Sequence, residues 1–225
     1  MTVPDAPLSR VLEQLEALEL VPGRPLLAVD ADEVLVELAA HLKRFVAAHG
    51  IEMRLTEYRL EGTMFEAGAE HPLPFDETLA WLGRFFDNEV RRQRPVPGAP
   101  DALSRLSERA QIMVLTNVPR HGLAGRIENL AGLGIPYPVV ENTGGKGPAL
   151  AWLAERVGTP VIFIDDSPSQ IESAAKHATG VTTIHFTGAR DLAGIIPACP
   201  EAHHTVTDWA QCEALIHSLL PGEIP

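Results

Sequence analysis

The sequence predicts an α/β protein: a Rossmann-like three-layer core built on a parallel sheet, with a small helical cap inserted into it. Three observations carry this. Short apolar bursts recur at residues 26–29, 112–115 and 161–164, and such runs, bounded by turn residues and acids, read as buried strands. Helical and apolar segments alternate from residue 101 to 186, the pattern of parallel strands joined by crossover helices. The stretch 38–94 departs from this rhythm, with helical spacing and few strand signals. It stops at Pro95-Val96-Pro97-Gly98-Ala99-Pro100, where prolines forbid continuation of a helix. Residues 1–37 and 95–225 are therefore assigned to the core, and 38–94 to the cap.

Each element follows from local pattern. Ser9 precedes Leu12, Leu15 and Leu18 at three-residue spacing, which predicts an N-capped amphipathic helix over 9–20. Pro22-Gly23 breaks it, and Leu26-Leu27-Ala28-Val29 is the first strand. Leu35, Leu38, Leu42 and Val46 form one stripe ending at Gly50, a helix over 34–48. Irregular sequence follows through Gly62, Gly68 and Pro72-Leu73-Pro74. Asp76 is the expected cap of a helix carrying Leu79, Leu82, Phe86 and Val90. Beyond the break, helices are expected at 101–109, 121–132, 148–157 and 169–178, and strands at 112–116, 138–141, 161–165 and 181–186.

Composition narrows the function classes. The chain has 225 residues, 45% of them hydrophobic and 21% charged, with a net charge of −12. At ~150 residues per domain this is one large domain or one domain with an insertion. No apolar run approaches the ~18 residues of a membrane helix. The N-terminus lacks the basic and apolar regions of a signal peptide, so a cytoplasmic location is expected, with Cys199 and Cys212 as free thiols. Only three lysines (Lys43, Lys146, Lys176) serve this acidic chain, which argues against nucleic acid as a partner. A small ligand is the expected partner.

The chemistry is read at the ends of the strands, since open parallel sheets bind ligands beyond their carboxyl edges. The first strand runs into Asp30-Ala31-Asp32-Glu33-Val34, the second into Thr116-Asn117, and the strand at 161–165 into Asp165-Asp166-Ser167. Lys146, in Asn142-Thr143-Gly144-Gly145-Lys146-Gly147, follows the third. Four carboxylates would then converge, which requires a neutralising cation. Oxygen-only donors suit Mg²⁺, whose shell is commonly completed by water and a substrate phosphate. An aspartate in this setting is a competent nucleophile towards phosphorus, and a second acid two residues on can protonate the leaving oxygen.

This ordered set resembles the haloacid dehalogenase-like superfamily, most of whose members are phosphatases. The motifs are a strand ending in DxDx(T/V), a strand ending in Ser or Thr, a separate Lys, and a strand ending in two acids. Here they read Asp30 to Val34, Thr116, Lys146 and Asp165-Asp166. The resemblance spans residues 26 to 186, and the insertion matches the cap of many members. It implies that Asp30 is the nucleophile and Asp32 the general acid and base. Thr116 and the Asn117 amide would bind phosphate oxygens, and Lys146 would hold Asp30 and the phosphate together. Mg²⁺ would be ligated by Asp30, the Asp32 carbonyl and Asp166, with Asp165 binding directly or through water. Relatives often place a further acid three or four residues after the last aspartate; here those positions hold Ser169 and Gln170, and Glu172 comes later. The expected activity is hydrolysis of a small phosphorylated metabolite, with a phosphomutase, a 5′-nucleotidase-type enzyme or a non-catalytic phosphate-binding protein as alternatives. Arg59 and Arg84 are candidate cap contacts to substrate.

Other features read as structural. Gly144-Gly145-Lys146-Gly147 lacks the earlier glycine and the following Ser or Thr of a nucleotide loop. His203-His204 has no zinc-ligand spacing and is expected at the surface. Arg91, Arg92 and Arg94 offset a helix C-terminus, and Trp81, Phe85 and Phe86 are expected to pack the cap.

Overall fold

A computed structural model describes residues 7–221. Helix α1 (Ser9–Glu16) buries Val11 and Leu15. It is shorter than expected, because Ala17 closes it by donating back to Glu13 and Leu15, and Leu8 rather than Ser9 occupies the cap position, with no side-chain cap bond. Strand β1 (Leu26–Val29) is buried throughout. The helix expected from residue 34 starts only at α2 (Ala39–Ala47), since the chain first turns back on itself at Glu33, whose φ is +62°. The Glu33 N–H donates to the Val36 carbonyl, and the Leu35 and Val36 amides donate to that of Ala31. Residues 35–37 then pair with 94–96, through Glu37 N to Arg94 O and Val96 N to Leu35 O. The two ends of the insertion are thereby tied side by side.

The insertion is not purely helical. Besides α2 it holds an antiparallel hairpin, β2 (Ile51–Met53) with β3 (Met64–Glu66), and then α3 (Phe75–Asn88). The hairpin is hidden in the sequence because each strand has only three residues, too few for period-two alternation to stand out. Asp76 lies in the first turn of α3 and Pro74 takes the cap position. Leu42, Val46, Met53, Met64, Phe85 and Phe86 form an apolar cluster that also takes in Val118 from the core segment.

The core continues as α4 (Ala99–Leu106), β4 (Gln111–Thr116), α5 (Leu123–Gly132), β5 (Val139–Glu141), α6 (Gly147–Val157), β6 (Val161–Asp165), α7 (Pro168–His177) and β7 (Val181–Phe186). Two further elements lie beyond the expected set, β8 (His204–Val206) and α8 (Trp209–Leu219). Asp208 caps α8 by accepting from the Gln211 N–H, and His203 is tied to strand β7 through its Nδ1, 2.8 Å from the Thr183 hydroxyl. The six strands pair in parallel in the order β5-β4-β1-β6-β7-β8. Alternate residues feed opposite faces: Leu27, Val29, Ile112 and Ile162 join one apolar layer, and Leu26, Ala28, Met113 and Phe163 the other. Helices cover both layers, so the sheet is buried on each side, as parallel sheets require. Among the described residues no helix is long and apolar enough to cross a membrane.

Candidate active site

β1 lies between β4 and β6, so the residues just past these three strands meet at one edge of the sheet. Asp30 leaves β1 with its N–H donated to the Ile164 carbonyl at 2.9 Å. Lys146, 2% exposed, inserts between two acids: its Nζ donates to Asp30 Oδ1 and, at 2.7 Å, to Asp165 Oδ2. The lysine is placed from behind, where its N–H donates to Gln170 Oε1 at 2.9 Å. Gln170 thus stands where relatives often have an acid and serves the lysine loop. The next residue must be glycine, since a Cβ at Gly147 would lie 2.0 Å from the Ser173 carbonyl oxygen.

Asp165 accepts from the Ser167 N–H at 2.9 Å. Asp166 accepts from the Tyr58 hydroxyl at 2.7 Å, and its carbonyl bonds to Nε2 of the buried His185 at 2.9 Å. Asp30, Asp165 and Asp166 each offer an oxygen within 4.8 Å of the others, and all three are buried. Thr116 is fully buried, with its Oγ1 3.3 Å from the Val118 N–H. The Asn117 side chain bonds to Gly144 O and Asn142 Nδ2, both at 2.9 Å, linking the ends of β4 and the lysine loop.

Of the four carboxylates expected to converge, three, Asp30, Asp165 and Asp166, form the tight cluster. The Asp32 side chain turns aside to Arg126, whose Nη2 donates to its Oδ1, and Gln93 Nε2 lies 3.4 Å from the same oxygen. Arg126 is fully buried on α5, and its Nε and Nη1 have no hydrogen-bond partner among the described residues. One sequence signal points to it: Leu123, Arg126 and Leu130 share helical spacing, an arginine on a buried stripe. Tyr58 sits in irregular sequence and leaves no such signal.

Arg59 borders the same cavity as Asp166 but pairs with Glu57, Nε to Oε2, at 3.1 Å. Arg84 does not reach that cavity. It lies over the Trp81 ring at 4.6 Å and lines a separate groove with Ile51, Glu66 and Glu77, because residue 84 falls on the outer side of α3 whereas Phe85 and Phe86 turn inwards.

Electrostatics follow from the burial. Burial pushes Asp30 up from its ordinary 3.8 to about 7; Lys146 pulls it down, while Asp165 and Asp32 add to the rise. Burial likewise raises Asp166, with Asp165 and Asp30 contributing. Burial would lower Lys146, but Asp165 and Asp30 outweigh it and hold the ammonium above its ordinary range. Glu33, whose carboxylate accepts from the Ala39 N–H at the start of α2, is pushed up to about 7 by burial. Three buried carboxylates thus face one ammonium. An all-oxygen set with excess negative charge fits a hard divalent cation.

The fold is that of the haloacid dehalogenase-like hydrolases. A proposed haloacid dehalogenase-like hydrolase from Burkholderia xenovorans LB400 matches with a TM-score of 0.61 at 18% identity, over 89% of this chain and 100% of its own. The L-2-haloacid dehalogenase of Xanthobacter autotrophicus matches at 0.55 and 13%, over 87% and 99%. A proposed phosphoglycolate phosphatase of Haemophilus somnus 129PT matches at 0.57 and 17%, over 85% and 97%. No protein-family model and no curated protein matches the sequence.

Proposed function

We propose that this chain is a Mg²⁺-dependent phosphomonoester hydrolase working through an aspartyl-phosphate. The carrying observation is Lys146 clamped between Asp30 and Asp165, with Asp166 alongside and a second acid, Asp32, two residues from the nucleophile. An Asp30 oxygen forms the bond to phosphorus as the bond to the leaving oxygen breaks, and Asp32 delivers its proton to that oxygen. In the second half, Asp32 takes a proton from a water that attacks phosphorus, and the Asp30 carboxylate is regenerated with inorganic phosphate. Thr116, the Asn117 amide and Lys146 hold the non-bridging oxygens. Asp30, Asp166 and the Asp32 carbonyl would hold Mg²⁺, with Asp165 binding directly or through water; when bound, the ion offsets the excess negative charge around the phosphoryl group. A magnesium-bound hydrolase of this fold from Bacillus subtilis, at 16% identity, is consistent with that choice.

The fold also serves dehalogenation, as in the Xanthobacter enzyme. Asp32 favours phosphate chemistry, because halide leaves without needing a proton. The reading implies a small phosphorylated substrate and a cytoplasmic setting, without nucleic-acid partners. The test is inorganic phosphate release from a panel of phosphomonoesters with and without Mg²⁺. Halide release from 2-haloacids with no phosphate release from any ester would overturn it.

A further inference from the structure

A cavity of about 280 Å³ opens beside the carboxylate cluster, with Asp166 and Tyr58 at one side and residues of the insertion together with Leu192 around the rest. Its wall is aliphatic: Leu38, Leu42, Met53, Leu60, Leu82 and Leu192 all face it. Few polar groups border it. The Tyr58 hydroxyl donates to Asp166, and Arg59, the one basic side chain among the described lining residues, pairs with Glu57. A substrate whose leaving group carried hydroxyls or a second anion would lose water against the aliphatic wall and find at most the exposed Arg59 in return, which costs affinity. A hydrocarbon group would gain from the same burial.

We infer that this cavity receives the organic part of the substrate, and that the part is apolar: the enzyme takes phosphomonoesters of uncharged alkyl or aryl alcohols rather than sugar phosphates, bisphosphates or phosphorylated acids. The inference rests on the hydrolase reading above and adds the substrate class. Asp166 lines the cavity and belongs to the carboxylate cluster, so the aliphatic space adjoins the place where a phosphoryl group at Asp30 would sit.

The experiment measures kcat/KM with Mg²⁺ for ethyl, butyl, hexyl and octyl phosphate, with glucose 6-phosphate as the polar counterpart of the hexyl ester. Full burial of a methylene corresponds to about fourfold in kcat/KM, so a rise of at least about tenfold from ethyl to hexyl is expected, followed by a plateau as the cavity fills. Leu60→Asp and Leu82→Trp should each lower the hexyl-to-ethyl ratio, the first by wetting the wall and the second by filling the space. Both side chains are only half-buried, and thermal melts establish which variants are folded. A flat chain-length profile, glucose 6-phosphate at or above hexyl phosphate, or an unchanged ratio in a folded variant would overturn the inference while leaving the hydrolase standing. No phosphate release from any ester would overturn both.

Discussion

Replacing Arg126 by methionine should separate stability from catalysis. The guanidinium is fully buried, yet among the described residues it makes one hydrogen bond, to Asp32, and leaves Nε and Nη1 without hydrogen-bond partners. A hydrogen bond to a charged group is worth about 1.5–3 kcal/mol, whereas each unsatisfied buried polar group costs about 1–3 kcal/mol. Methionine removes one favourable term and two unfavourable ones, and its unbranched chain can follow the same channel. Stripping one partner from a buried ion pair is usually damaging because the other charge is stranded. Asp32 escapes this: its side chain is 19% exposed and Gln93 remains nearby. The net expectation is a gain of about 1–2 kcal/mol, which for a chain of this size raises Tm by about 2–8 °C. Activity should move the other way, because Arg126 is what orients Asp32. The loss, read in kcat/KM because the later hydrolysis with Asp32 as base is common to all esters, should reach up to the ~10²–10⁴ a positioned general acid supplies on alkyl phosphates and spare p-nitrophenyl phosphate, whose leaving group needs no proton. Scanning calorimetry and paired kinetics on the two esters read both effects. A Tm lowered by more than about 4 °C would show that the arginine is a structural cation, and equal loss on both esters would remove its positioning role.

Three other outcomes are expected. Asp30→Asn should abolish phosphate release and, by removing a buried charge, leave the chelated protein at least as stable at pH 8 as the wild type; turnover near the wild-type level would eliminate the covalent mechanism. Asp30 and Glu33, raised to about 7 from ordinary values of 3.8 and 4.5, bind protons in the native state that the unfolded chain has lost, so stability should fall as pH rises from about 4 to 7. In chelator, Tm should therefore be higher at pH 5 than at pH 8, and Mg²⁺ at a hundred times its Kd should restore about 2.7 kcal/mol at pH 8; a chelated Tm that rises with pH, or melts unchanged by Mg²⁺, would contradict the site. Gly147→Ala drives a methyl group into the Ser173 backbone and should cost about 1–3 kcal/mol or more in urea unfolding, together with activity, since Lys146 is the preceding residue. Full activity and an unchanged midpoint would mean that the loop carrying Lys146 is not fixed by that contact.

By itself the sequence determined the alternation of the core. Strands β1, β4 and β6 are largely apolar runs buried on both faces, and a parallel sheet demands that local pattern wherever it occurs. It also placed Asp30, Thr116 and Asp165-Asp166 at strand ends, because polar residues directly after an apolar run mark where the chain leaves the sheet, and Lys146 in the loop after β5. The chain beyond Phe186 is not legible in this way: β8 has three residues, and its pairing with β7 is a long-range event. The hairpin β2–β3 is hidden for the same reason, and α2 starts later than its apolar stripe suggests because Glu33 adopts a left-handed turn that glycine, asparagine or aspartate usually signals. Tertiary structure alone decided which charges meet. Lys146 bridges two acids 116 and 19 positions away, Asp32 turns to Arg126 rather than to its sister carboxylates, and Tyr58 crosses from the insertion to Asp166. Local periodicity fixes each residue's face, but contacts over such separations depend on how the elements pack, and no spacing rule encodes that.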